Sequence, residues 1–389
     1  MEHNPPVNEN ELLRLLQDFI RIESVNPNLV TGGAGELEIA SYIEERLKEI
    51  GLEVQTQEVE ENRTNVIGLL KGTGEGKSIM LNGHIDTVSI DGMNIEPLNP
   101  KVEHGKVYGR GALDMKSSLA AMIMAAKSVV ESGMKLKGDV LLTFVVDEEY
   151  RSSGTEKLIE AYFADAAVVC EPTNLGVGIA HKGFVWARIE ILGKRAHGSL
   201  PDEGVDAITK AGKVLVEIEK LDTEHLRYKH HPLLGPPSVH ASIIRGGIEL
   251  STYPDWCEVQ LERRILPEED YSTFEHEIGD IIERIESEDG DFKARSNVFF
   301  WRPALEVSPD QVIVQSLYKA ATRVLRKEPV LCGVNWWLDS ALFAEAGIPV
   351  AIFGPSGKGL HASVEYVDFD SVIATTNVFI HTIVDLCGT

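Results

Sequence analysis

The stretch DVLLTFVVDEEY, residues 139–150, decides the fold. Residues 139–146 form a continuous run of the kind expected of a strand covered on both faces. The same texture recurs on either side of it. Residues 65–70 and 78–81 read as short buried strands around the turn-like GTGEGK, residues 166–169 as another, and VAIF (350–353) as a fully buried one. Between them lie helical patterns. Leu12, Leu13, Leu16, Phe19 and Ile20 recur at intervals of three and four. A second amphipathic helix is expected from about 36 to 50, closed by Gly51. MKSSLAAMIMAAKSVV (115–130) is apolar on most sides, as a central packed helix would be. Strands alternating with helices in this way predict an α/β domain, a mixed sheet sandwiched by helices.

Near residue 181 the pattern changes. FVWARIEILG (184–193) alternates like a strand with one covered face, followed by a helix over roughly 204–220 and the loop KHHPLLGPP. Strand-like runs at 238–245 and 256–265, a helix at 271–287 and a strand near 292–301 complete a β-α-β-β-α-β order. That order suits a small antiparallel α+β (ferredoxin-like) sheet with helices on one side. The expected organisation is therefore a domain of residues 1–180 and 305–389, interrupted by an inserted domain of residues 181–304.

The chain has 389 residues, 43% hydrophobic and 25% charged, an ordinary globular composition with enough apolar material for two domains. Lys and Arg number 37 against 61 Asp and Glu, a formal charge of −24. This excess of acid argues against binding nucleic acid or an anionic membrane, both of which require dense basic patches. No apolar run approaches a membrane span, and MEHNPPVNENELLRLL has no secretory pattern. Cys170, Cys257, Cys332 and Cys387 are widely spaced without a C-x-x-C pair, which favours a reducing, cytoplasmic compartment.

The polar residues that follow the buried runs carry the chemistry. SIMLNGHID places His84 and Asp86 after one strand, and VVDEEY places Asp147, Glu148 and Glu149 after another. Glu171 follows AAVVC, and His361 follows VAIF and a Gly-rich loop. In an open α/β sheet, ligands bind beyond the carboxyl ends of the strands, so these side chains would converge. Asp114 precedes the central helix, where the helix dipole favours an anion. Two divalent cations carry four positive charges. Asp114, Glu149 and Glu171 supply three negative ones, a bridging hydroxide balances the fourth, and His84 and His361 ligate as neutral imidazoles. Two metals about 3.5–4 Å apart lower the pKa of water and polarise a carbonyl. Glu148 is then spare as a general base, and Asp86 is placed to hold the distal nitrogen of His84. Each residue also has an ordinary reading: a loop histidine, a solvated acidic loop, or, for Asp114, a helix N-cap.

Taken in order, NGHIDTV (82–88), YGRGALDMK (108–116), VVDEEY (145–150), CEPT (170–173) and GPSGKGLHASVEYV (354–367) resemble a family of metallo-amidohydrolases and peptidases. That family contains acetylornithine deacetylase, succinyl-diaminopimelate desuccinylase, aminoacylase and glutamate carboxypeptidase. GKRAHGSLPDEGVDAI (193–208) and ERRILP (262–267) extend the similarity through the insert. The resemblance implies one metal on His84 and Glu171, a second on Glu149 and His361, and Asp114 bridging. It implies Glu148 as base and then acid, and Asp86 as the orienting group of His84. The insert would be a lid and dimerisation domain. In it His197 would stabilise the oxyanion across a homodimer, and Arg264 would clamp a substrate carboxylate.

Two features depart from the family pattern. GGIELSTYP carries Ser251 where an Asn is usual, so a substrate or oxyanion contact there has a shorter reach. GVNWWLDSALF (333–343) has Trp336 and Trp337 where smaller residues are common, lining a pocket or packing beneath the loop, with packing favoured. The adjacent histidines of KHHP read as exposed loop residues without a role. The leading expectation is a dinuclear hydrolase, with zinc, cobalt or manganese, that removes a small acyl group from an N-acyl amino acid. A dipeptidase, glutamate carboxypeptidase or aminoacylase is the nearest alternative, and a catalytically silent metal-binding dimer the alternative outside enzymes.

Overall fold

The computed structural model describes residues 7–388. The chain divides into two compact units: one of residues up to 179 with 307–332 and from 338 onward, the other of residues 180–306 and 333–337.

The first unit is built on a mixed sheet in the strand order Glu53–Glu60, Arg63–Leu70, Val140–Val145, Ile79–His84, Ala166–Val169, Val350–Ile352, Val177–His181. Ile79–His84 runs parallel to both Val140–Val145 and Ala166–Val169, and Val350–Ile352 runs parallel to Ala166–Val169. Every residue of these four strands is buried. Such strands require cover on both faces, which is why three of them are nearly continuous apolar runs and Ile79–His84 (IMLNGH) opens as one. The helix Lys116–Glu131 is buried at most of its positions and packs against the helices Glu9–Arg21 and Phe369–Cys387. Glu9–Arg21 begins at Asn8, whose side chain accepts the Glu11 N–H, and turns Leu12, Leu15, Leu16, Phe19 and Ile20 inward. The expected α/β class therefore holds.

Some elements carry no clear local signal. The edge strand Glu53–Glu60 (EVQTQEVE) has only exposed and half-buried residues, as an edge that must resist further pairing should. Lys101–Glu103, Lys106–Tyr108, Gly357–Lys358 and Tyr366–Asp368 form a separate small antiparallel sheet.

In the second unit four antiparallel strands lie in the order Ser238–Gly246, Trp256–Ile265, Gly183–Leu192, Lys293–Arg302. With the helices Ala207–Lys220 and Tyr271–Glu288 this is the expected ferredoxin-like α+β arrangement. Val185, Ala187, Ile189 and Ile191 point one way into a core with Ala211, Val214, Phe274 and Ile278 of the helices. Both helices open on an aspartate cap: Asp206 accepts from Ile208 and Thr209, and Asp270 from Ser272 and Thr273. Among the described residues, no helix is long and apolar enough to cross a membrane.

Candidate metal centre

His84 is the last residue of its strand and not, as expected, beyond it, because the pairing with Val140–Val145 continues to Val145. Its Nε2 lies 3.0 Å from Asp114 Oδ1 and 3.3 Å from Glu171 Oε1. On the other side of Asp114, His361 Nε2 lies 3.3 Å from Asp114 Oδ2 and 3.1 Å from Glu149 Oε2. The ligand atoms of His84, Asp114 and Glu171 all fall within 4.8 Å of one another, as do those of Asp114, Glu149 and His361. The first unit thus brings together the five residues named from sequence as ligands, in two groups that share Asp114.

The local chain explains each placement. Glu171 lies two residues beyond the buried strand Ala166–Val169. His361 occupies a left-handed conformation (φ 56°) two residues after Gly359 (φ 96°). A Cβ on Gly359 would lie 1.9 Å from the Val364 carbonyl oxygen, so only glycine lets this loop close. The ordinary reading of Asp114 as a helix cap does not hold. Met115 occupies the cap position and the helix has no side-chain cap, while the Asp114 carboxylate faces the two histidines.

Asp86 meets the distal nitrogen of His84 through both its main chain and its carboxylate. His84 Nδ1 bonds the main-chain oxygen of Asp86 at 3.0 Å, and the Asp86 carboxylate lies 3.5 Å away. That carboxylate also accepts the backbone N–H groups of Glu148 (3.2 Å) and Glu149 (3.1 Å) and the Asn26 amide (2.8 Å). Asn26 also donates to Asp147 (3.1 Å), and Asp147 pairs with Arg63, which in turn pairs with Glu36. Asp147 has φ 69°, a conformation that costs an L-residue about 1 kcal/mol or more. The loop carrying Asp114 is fixed by Glu365, which accepts from Arg110, Gly111, Leu113 and Asp114. Sequence reasoning missed Asn26, Glu36, Arg63, Arg110 and Glu365. The available signal was a lone Arg opening a buried strand in an acidic chain, since a buried guanidinium demands carboxylates.

Electrostatics separate the carboxyl groups. Burial lifts Glu171 to about 7, with Asp114 adding to the effect. Burial, with Asp114 beside it, also raises Glu149. Burial pushes against ionisation of Asp114 too, but hydrogen bonds from His361 and His84 win and hold it below the carboxylate range. Hydrogen bonds to Asp114 and Glu149 raise His361 to about 10. Burial opposes protonation of His84, yet Glu171, Asp114 and Asp86 raise it well above the usual imidazole value. The carboxylates thus hold protons on both imidazoles, where cations would serve the same purpose. Among the described residues Glu149 Oε1 is buried without a hydrogen-bond partner, an acceptor for which a cation is a fitting partner. The donor set of carboxylate oxygens and imidazole nitrogens suits divalent metals. Glu148 lies beside this cluster. Burial raises its pKa well above the usual value, His84 opposes, and Asp339, Glu171 and Glu149 add to the rise.

The other residues singled out from sequence lie in the second unit. His197 Nδ1 bonds Ser199 Oγ at 2.8 Å. Gly198 N–H donates to the Ser251 main-chain oxygen at 2.8 Å and His197 bridges Thr252, so His197 and Ser251 lie on adjoining segments. Arg264 bonds Glu262 at 2.8 Å with its guanidinium 5.5 Å from the Phe184 ring centre. Trp337 packs as expected, edge-on to Phe184 and His181, with its N–H on the Pro303 carbonyl, whereas Trp336 is exposed. The KHHP reading needs correction at one position. His231 is buried, because it bridges Gly235 and its ring accepts the Leu233 N–H.

Comparison with known proteins agrees with this geometry. The chain is 26% identical over 411 residues to the N-formyl-4-amino-5-aminomethyl-2-methylpyrimidine deformylase of Bacillus subtilis (strain 168), covering 98% of this chain and 95% of that protein. It is 26% identical over 360 residues to the acetylornithine deacetylase of Myxococcus xanthus, covering 90% and 92%. Among solved structures, a tripeptidase from Staphylococcus aureus superposes with a TM-score of 0.81 at 22% identity, over 98% of this chain and 99% of that one. The profile of Peptidase family M20/M25/M40 matches residues 80–385, well over half of the sequence. The chain belongs to peptidase family M20/M25/M40 and is a metal-dependent hydrolase of amide bonds.

Proposed function

We propose that this hydrolase removes a small acyl group from the nitrogen of a small molecule, an N-acyl amino acid in first place. Two divalent cations would be held, one by His84, Glu171 and Asp114, the other by Glu149, His361 and Asp114. Zinc is the first expectation, with cobalt and manganese also suited to these donors. The observation that carries the reading is the position of Asp114, with one carboxylate oxygen toward His84 and the other toward His361. When bound, such a pair of ions supplies Lewis acidity toward a carbonyl and lowers the pKa of water.

The protein's own groups do the rest. The bond from His84 Nδ1 to the Asp86 main-chain oxygen leaves Nε2 as the ligating atom. Asp86 gathers the amides of Glu148 and Glu149, and so sets the turn from which both carboxylates project. Glu148 accepts the proton of the attacking water and returns it to the departing nitrogen. A carboxyl held above its usual range by burial is suited to that exchange near neutral pH.

For His197, Arg264 and Ser251 the roles implied by the sequence resemblance are part of the proposal: oxyanion stabilisation for the first, substrate contact for the others. The proposal also includes a homodimer through the second unit. In support, the strand Ser238–Gly246 is a sheet edge with Ile243 and Ile244 exposed, an unprotected pairing surface. Four unpaired cysteines support a reducing, cytoplasmic setting.

The test is amine release from a panel loaded with zinc or cobalt: N-acetylornithine, N-succinyl-diaminopimelate, an N-formylaminopyrimidine, dipeptides and a tripeptide. Preferred turnover of an N-acyl amino acid is expected. Preference for peptides would reassign the substrate, and no turnover with two ions bound would overturn the proposal.

A further inference from the structure

We propose that Arg63 is a positioning residue for Glu148, acting through Asp147; this rests on Glu148 being the base proposed above. Among the described residues, no hydrogen bond fixes the Glu148 carboxyl. The bonds of Glu148 are made by its main chain, its N–H to Asp86 and its carbonyl to Ser152 Oγ. The direction of the carboxyl is therefore set by the turn it stands on.

That turn is anchored at Asp147. The Asp147 main-chain oxygen accepts from Arg151 (3.1 Å) and Ser152 (2.6 Å), folding residues 147–152 over it. Its carboxylate is held from three directions: by Arg63 Nη1 at 3.0 Å, Asn26 Nδ2 at 3.1 Å and Ser153 Oγ at 2.8 Å. Arg63 is itself buried, and its Nε and Nη2 grip both oxygens of Glu36. The guanidinium thus spans the buried carboxylates of Glu36 and Asp147 with one rigid plane, and its Nη1 also reaches the exposed Glu60 at 3.2 Å. A lysine, offering a point charge, cannot span both. Asn26 closes the frame, joining Asp147 to the Asp86 carboxylate that collects the Glu148 and Glu149 amides. Arg63 and Asn26 thus both donate to Asp147 Oδ1, and neither is among the candidate ligands.

The experiment compares zinc-loaded wild type, Arg63→Lys, Asn26→Ala and Glu148→Gln, measuring kcat, KM and zinc per chain. Small displacements of a reacting group cost up to about 100-fold in rate. Arg63→Lys is expected to lower kcat about 10- to 100-fold with KM within about twofold and two zinc ions retained. Asn26→Ala should act in the same direction, and decides the matter should Arg63→Lys fail to fold. An unchanged kcat, or a loss reversed by excess zinc, would overturn the inference, the latter by reducing Arg63 to a support of metal affinity. An inactive wild type or an active Glu148→Gln would sink the catalytic reading itself and take this inference with it. Those two outcomes are read from different proteins in the same assay.

Discussion

Replacing Glu365 by Gln tests how the Asp114 loop is held. The Glu365 carboxylate is fully buried, and both oxygens are used twice. Oε2 accepts from Arg110 Nη1 (2.7 Å) and Gly111 N (3.1 Å), and Oε1 from Leu113 N (2.8 Å) and Asp114 N (3.1 Å). In a glutamine one oxygen becomes an NH₂ group. Whichever way the amide turns, two bonds are lost and two donors face a donor. Hydrogen bonds to charged groups contribute about 1.5–3 kcal/mol each, and breaking one side of a buried ion pair costs about 3–5 kcal/mol. Since Arg110 also loses its carboxylate, a destabilisation of about 3–5 kcal/mol is expected. Urea unfolding followed by far-UV circular dichroism measures it. Tryptophan fluorescence cannot substitute, because Trp186, Trp256, Trp301, Trp336 and Trp337 all belong to the second unit, whereas Glu365 belongs to the first. Burial, with Asp114 nearby, raises the Glu365 pKa, so pH 8 favours the ionised reference state. Faster amide exchange at Leu113 and Asp114 should accompany the loss. A change under about 1 kcal/mol, with exchange at both amides unaltered, would refute the reasoning, since two bonds to a charged acceptor cannot vanish so cheaply.

Other expectations follow from the same geometry. Glu148→Gln should lose about 100- to 10,000-fold in kcat, the usual range for a general base, with two metal ions retained by elemental analysis. Cation affinity should rise with pH. His361 is raised from 6.5 to about 10, so in the cation-free chain the stability due to its protonation is complete below 6.5 and lost as pH climbs through about 10. Cation binding must displace that proton, and a chelator-competition titration should show proton release shrinking toward the top of that window. Ile244→Asp on the exposed edge Ser238–Gly246 should convert a dimer to a monomer in sedimentation; unchanged sedimentation would remove that edge from the interface.

The parts of this protein that were legible in sequence are those with local signatures. Val140–Val145 announced itself as a nearly continuous apolar run, Ile79–His84 only through its first half, Ile79–Leu81, and Gly183–Leu192 as an alternating strand. Of the ligands, His84, Glu149 and Glu171 were legible at or just beyond the end of a buried strand, His361 across a Gly-rich loop from one, and Asp114 ahead of the central helix. The supporting residues have no local signature. Arg63 meets Glu36 27 positions away and Asp147 84 positions away, Asn26 meets Asp147 across 121, and Glu365 meets Leu113 across 252. Glu53–Glu60 was illegible for another reason: an edge strand with no buried position and mostly polar residues offers little apolar contrast to read. Asp114 was ambiguous because a helix-start aspartate and a ligand look alike until its carboxylate is seen facing His84 and His361.

The balance of buried charge supplies the last step. Glu36, Asp86, Asp147, Glu171 and Glu365 are all nearly or fully buried in the first unit, with Asp114 and Glu149 largely so. Such groups persist only if each is compensated. Arg63 compensates Glu36 and Asp147, and Arg110 compensates Glu365. Asp86 is met by two main-chain amides and Asn26. Lys116, equally buried, spends its ammonium on the Ile22 carbonyl. Asp339, also buried, is raised by that burial to about 6 and accepts from the Thr155 hydroxyl. Apart from these, Asp114, Glu149 and Glu171 remain, and among the described residues their ion pairs are with His84 and His361 alone. Imidazoles can supply that charge only by holding protons far above their ordinary pKa, as the raised values of both histidines require. Divalent cations supply it at neutral pH while leaving the imidazoles uncharged. The three unmatched carboxylates are therefore a stronger pointer to a two-metal centre than any one ligand motif.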